Sequence, residues 1–255
     1  MGSTAYVVDV LTKGFAADVD FNGWPICRGE WSNGKVASQK LNFFLLAGEN
    51  RLEASLKMLE PDDVTVDRWF ELRMVKTRHD ESERDDDVLL RYRWTPDESP
   101  VGGAYATPVF THAMRVARAY GAWAWEAARP FLPSDRDAVL AVVAELHAAL
   151  AARDAAAVLG LLQLKYDEWD RAVENPQGTM AGRERDFLAR VFAMPDYGVA
   201  PFDPAALELE SACGGRLVKV LSEDRGPAIT AFADGGPFGT DVALAFVGGG
   251  WKILR

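Results

Sequence analysis

The chain has 255 residues, with 28 Lys or Arg against 38 Asp or Glu, so its net charge is −10. That surplus of acid excludes the basic footprint on which non-specific nucleic-acid binding depends. Its 49% hydrophobic and 26% charged residues are the balance of a globular protein, and the length predicts two domains.

Residues Met1 to Tyr6 hold neither a basic segment nor an apolar run, so no secretion signal is expected. Gly2 invites a myristoylation reading, but Tyr6 stands where that motif wants Ser or Thr. No apolar run reaches the length of a membrane span. Cys27 and Cys213 are far apart and lack metal-ligand spacing, as reduced thiols of a cytoplasmic protein would be.

The first half reads as strands. Tyr6–Leu11 and Asp18–Phe21 are β-rich, and Asn22-Gly23 is a type I′ hairpin signal ahead of Trp24-Pro25-Ile26. Val36–Leu46 is β-capable, and Leu52, Ala54, Leu56 and Met58 alternate with polar residues. Val64–Val75, Val88–Trp94 and Val109–Arg118 follow, the last assigned to strand on the alternation of Phe110, His112, Met114 and Val116. Trp123 and Trp125 share one face of a final extended piece before Pro130 and Pro133. So many short strands between turn signals predict a β-sandwich or jelly roll over residues 1–128, with 129–133 as a linker.

Ser134 and Asp137 form a helix start signal. Val139, Val143, Leu146 and Leu150 then recur on one face of a helix ending near Arg153. Asp154 is placed to cap a second helix striped by Leu159, Leu162, Tyr166, Trp169 and Val173. A third runs over 179–194 to Pro195 and carries Arg183, Arg185 and Arg190. Five strands close the chain, over 207–212, 217–221, 228–233, 242–247 and 251–254, with Gly-rich turns between them as in a meander of hairpins.

Two resemblances emerge from these residues. "FNGWPI" over 21–26 with "LLAGENRLEASL" over 45–56 resembles the accessory β-sandwich domains found beside many sugar-active enzymes, which implies a fold and not sugar binding. A carbohydrate-binding groove would need spaced aromatics, and Trp24 and Trp31 are equally suited to a core. The "ALAARDAAAVLGLL" step between helices and the final "GGGWKILR" resemble the opening and closing of the ketosteroid-isomerase-like superfamily, which includes limonene epoxide hydrolase and many polyketide cyclases. This second likeness covers about residues 134–255 and implies an α+β cone: helices first, then a curved antiparallel sheet. It leaves function open, since one scaffold hosts isomerases, dehydratases, transport factors and binding modules.

Three residues stand out as weak catalytic candidates. Tyr166 and Asp170 lie one turn apart on the second helix and could face a cavity, as a tyrosine donor and an acid do in ketosteroid isomerase. His147, beside the stripe of the first helix, could serve as a general base. The structural reading, a core tyrosine beside a solvated aspartate and a satisfied boundary histidine, is preferred for each. His79 leads into the acidic run Asp80–Asp87, which lacks the alternation and central Gly of an EF-hand loop and reads as a solvated loop. There is no GxSxG, HExxH, P-loop or GxGxxG motif.

The function these features fit best is a non-catalytic binding or interaction protein without cofactor or metal, taking a small apolar ligand or a protein partner; a homodimer is compatible with them. The rivals are a cofactor-free lyase, isomerase or hydrolase working inside the cone, and an acidic antitoxin-like inhibitor of a basic partner.

Overall fold

The computed structural model describes residues 4–28, 30–58, 68–78, 87–95, 109–116 and 120–255. Its described residues build mostly antiparallel sheets and four α-helices, divided into two compact units, Met1–Gly121 and Ala122–Arg255. The division falls before the expected boundary at 128. The segment expected as a linker, 129–133, is bonded into the second unit: Arg129 bridges Phe246, and the Phe131 N–H donates to the Gly215 carbonyl at 2.8 Å.

The first unit is organised by β1 (Thr4–Phe21), a single 18-residue strand where two short ones were expected. Antiparallel partners line both of its edges. On one, β5 (Trp69–Arg78) pairs with residues 4–13 and β4 (Gly48–Met58) takes over at 15–21. On the other, β3 (Glu30–Lys40) is followed by β2 (Trp24–Cys27). Gly14 marks the first hand-over, with φ +74°, and the Arg68 side chain lies where a Cβ would stand. It is a bulge with a purpose, because the buried face changes phase there. Tyr6, Val8, Val10 and Thr12 point inward before it, and Phe15, Ala17, Val19 and Phe21 after it. One added residue keeps the apolar face continuous while the strand bends.

With β6 (Val88–Trp94) and β7 (Val109–Val116) the described strands make one seven-stranded sheet, ordered β6-β5-β1-β4-β7, where two stacked sheets were expected. It is curled: its end strands are not hydrogen-bonded to each other, yet Tyr92 of β6 stacks on Phe110 of β7 at 4.1 Å. Residues 41–46, expected to continue a strand, turn instead through a 3₁₀ helix at Asn42–Phe44 that buries Phe43 and Phe44.

Two asparagines, Asn22 half-buried and Asn50 fully buried, explain the motifs "FNG" and "GENR". Asn22 (φ +52°) and Gly23 (φ +77°) form the expected turn. The Asn22 side chain donates to the Phe44 carbonyl at 2.7 Å and to Asn50 Oδ1 at 2.8 Å, and accepts from the Arg51 N–H. Asn50 also accepts from the Leu46 N–H and donates to the Leu46 and Gly48 carbonyls. Trp24 is core, stacked on Phe44 at 4.4 Å. Replacing Asn50 by Ala should destabilise the protein by about 2–3 kcal/mol, because it strands buried backbone groups and the Asn22 amide; a urea unfolding midpoint unchanged from wild type would contradict this account.

In the second unit, α1 (Arg136–Ala151), α2 (Ala155–Leu161), α3 (Gln163–Ala172) and α4 (Thr179–Phe192) precede seven strands. The sheet β14-β13-β10-β9 combines Gly250–Ile253, Val242–Val247, Leu217–Leu221 and Glu208–Ala212. A second sheet joins β12 (Gly236–Thr240), β11 (Ile229–Ala233) and β8 (Gly198–Val199). The simple meander is therefore corrected: β10 pairs with β13, β11 leaves for the other sheet, and the Gly- and Pro-rich segment 236–240 is itself a strand. Between helices and sheet the interior is filled by Val143, Leu146, Val218, Val220, Leu244 and Ile253, all essentially inaccessible.

The entry to α1 also differs from expectation, since its N-cap is Asp135 and not Ser134. Asp135 accepts both terminal nitrogens of Arg129 at 2.7 Å and the Leu132 N–H at 2.8 Å. The Arg129 guanidinium, with help from that N–H, holds the Asp135 carboxyl down at about 2. Its folded pKa thus lies below the unfolded one, so its stabilisation is present above the ordinary carboxylate range and is lost as pH falls through about 2. Asp135→Asn should therefore flatten the decline of thermal midpoint between about pH 4 and about pH 2; an acid limb as steep as in the wild type would refute the assignment.

Candidate functional site

The expected second helix is broken. Asp154 caps α2 as anticipated, accepting from the Ala157 N–H at 3.0 Å, but Leu162 (φ −97°, ψ 5°) interrupts the run and α3 starts afresh. The break changes which side of the helix is covered. Tyr166, Glu168, Asp170 and Ala172 are buried, whereas Trp169, on the expected stripe, is only half-buried.

Tyr166 and Asp170 are not brought together as a pair; each serves a different partner. Tyr166 lies beside the Glu184 carboxylate of α4, and burial followed by that negative charge pushes the phenol far up. Burial also raises Glu184, against the pull of Lys165 and the tyrosine hydroxyl. Lys165 is lowered by burial, which Asp241 and Glu184 oppose. Asp170 accepts from the Met180 N–H with both oxygens, at 3.0 and 3.3 Å, and from the Asn175 amide at 3.4 Å. Its carboxylate satisfies the first turn of α4, a capping task performed from a neighbouring helix.

The most deeply committed acid was not a sequence candidate. Glu168, with its side chain 4% exposed, accepts from Arg255 at 2.8 Å, from Arg171 at 3.4 Å and from the Ala124 N–H at 2.7 Å. Arg171 and Arg255 both lie over the buried Trp123 ring, at 4.5 and 5.6 Å. Trp123 stands at the start of a 3₁₀ turn, Ala124–Ala127, and Trp125 lies within it, where an extended piece was expected. Glu168→Ala should destabilise the fold by about 3–5 kcal/mol, since it leaves Arg255 buried without its carboxylate; a loss below about 1 kcal/mol in chemical denaturation would rule out the network as a stabilising unit.

His147 stands apart from these groups. It is half-buried on α1, its Nε2–H donates to the Ala200 carbonyl at 2.7 Å, and its ring lies 5.3 Å from Phe202. This is the wall of a cleft of about 600 Å³ formed by α1, residues 200–207, the 222–228 turn and the start of β11. Each wall is braced. The Ala200 N–H donates to the Thr230 carbonyl at 2.9 Å, and Arg136 donates to the Leu207 carbonyl at 2.9 Å. Asp203 accepts from the Ala205 N–H at 2.9 Å. The Ser222 hydroxyl donates to Asp224, whose carboxyl is drawn below its ordinary range by that hydroxyl and then by the Gly226 N–H. Phe202, Leu207 and Ile229 give the cleft apolar surface. No sequence motif announces it, because its residues come from four separate segments.

Among the described residues, no group of His, Cys, Asp and Glu side chains is arranged to hold a metal ion, and no helix is long and apolar enough to cross a membrane. The acidic run after His79 lies outside them, up to Asp86. Cys27 and Cys213 are buried and in no disulfide. Burial pushes the Cys27 thiol up to about 11, which removes its reactivity at neutral pH. No family model, curated protein or solved structure matches this chain.

Proposed function

We propose that this is a non-catalytic binding protein whose second unit, a domain in its own right, is built as a ketosteroid-isomerase-like cone and binds its ligand in the His147–Phe202 cleft. The helices-first, antiparallel-sheet-last order supports the family reading, and the two compact units support two domains. The observation that carries the functional reading is the cleft of about 600 Å³, within the size range of small-molecule sites. Of the two buried candidates for chemistry, Asp170 is bonded to the start of α4 and Tyr166 is packed in the apolar interior beside Glu184. A binding role asks only for shape, apolar surface and a few oriented polar groups, all of which the cleft offers. The absence of a membrane-length apolar helix among the described residues is compatible with a cytoplasmic protein.

Ala206 is exposed and lines the cleft, so Ala206→Trp fills the space without disturbing the core. In a fragment screen read by ligand-observed NMR, the wild-type chain should give hits that this variant loses at an unchanged melting temperature. Hits that persist in the filled variant would place binding elsewhere and overturn the reading.

A further inference from the structure

We infer that the cleft is selective for a small organic cation, an ammonium group carried on an apolar body; this rests on the reading of the cleft as the binding site. The argument begins with the charges that face it. Asp203, Glu223 and Asp224 line it, and neither a lysine nor an arginine does. Two guanidiniums beside the lining are already engaged. Arg136 is spent on the Pro204 and Leu207 carbonyls, and Arg225 on Glu210 at 2.8 Å and Glu208 at 3.8 Å. The only other ionisable group in the lining is His147, which directs its Nε2 proton at the Ala200 carbonyl.

The three carboxylates also differ in what they can still do. Asp203 caps the start of the 3₁₀ helix Pro204–Ala206 through the Ala205 N–H, and Asp224 holds its own turn through Ser222 and Gly226. Both keep a negative charge at the rim while being positioned by those bonds. Glu223, next to Asp224 on an exposed turn, is not tied into its turn by such bonds and is the carboxylate left to reach an incoming cation. The apolar side matches the same ligand. The Phe202 and His147 rings are neighbours at 5.3 Å, and an aromatic face beside carboxylates favours an ammonium carried on an apolar body. An anion would meet three like charges, and a neutral ligand would leave the rim carboxylates without new partners.

The test compares three probes that share one phenethyl body: phenethylamine, 2-phenylethanol and 3-phenylpropionate, titrated into the full chain and followed by backbone amide shifts in NMR. The amine should bind at least about tenfold more tightly than the alcohol or the acid, a difference of about 1.4 kcal/mol. Its shifts should cluster at Ala200–Phe202 and Ser222–Thr230. Its affinity should fall in Glu223→Gln and again between 20 and 500 mM salt, both about threefold or more for exposed charges. Equal binding of amine and alcohol, or a preference for the acid, would overturn cation selectivity while leaving the cleft as the binding site. If none of the probes shifts cleft residues, the selectivity and the cleft reading fall together.

Discussion

A carboxylate in an apolar interior has to be matched on both oxygens, or burying it costs the fold dearly. Glu168 meets that condition with three donors drawn from separate places: Ala124 before the helices, Arg171 on its own helix, and Arg255 beyond the last strand. Satisfying it therefore fixes three segments at once, and Trp123 is held under the two guanidiniums that do so. The start of the second unit at Ala122 follows from this arrangement, because the residues that shield and bond Glu168 cannot belong to a loose connection.

The same economy governs the other polar groups on α3 and α4. Tyr166 is buried beside Glu184, and Asp170 completes the first turn of α4. What remains for a ligand lies where β11 parts from β10 and the 200–207 segment crosses in front of it. A sheet that splits must leave a gap beside its last shared pair, here the bridge between Leu221 and Pro227, and the cleft opens there.

The legible part of the sequence was local. Helix periodicity, the Asp154 cap, the Asn22-Gly23 turn and the order of most strands could be read because each depends on residues within a few positions. Non-local competition accounts for what could not be read. The stripe through Trp169 assumed one continuous helix, and the break at Leu162 shifted Glu168 and Asp170 inward, where partners from remote segments meet them. Segment 236–240 has the composition of a turn and is a strand only because β11 supplies its ladder. The tight turn at Asn22 was visible, but the role of Asn50 was not, since its four bonds reach across two turns that periodicity does not relate. Of the site candidates, only His147 faces the cleft, and nothing in its neighbours in sequence distinguishes it from Tyr166 or Asp170.

The bulged β1 carries a consequence for how the first unit is made. This strand is the shared partner of β2, β3, β4 and β5, so its backbone groups are not all paired until residue 78 is available. The contact from Thr4 to Arg78 spans most of the unit, and loops that long close slowly. During synthesis the first eighteen described residues are an apolar strand with one edge waiting, long after they have left the ribosome. Assembly of this unit is thus paced by its most distant partner, and its vulnerable interval is the delay between β3 and β5 rather than any weakness of the finished sheet.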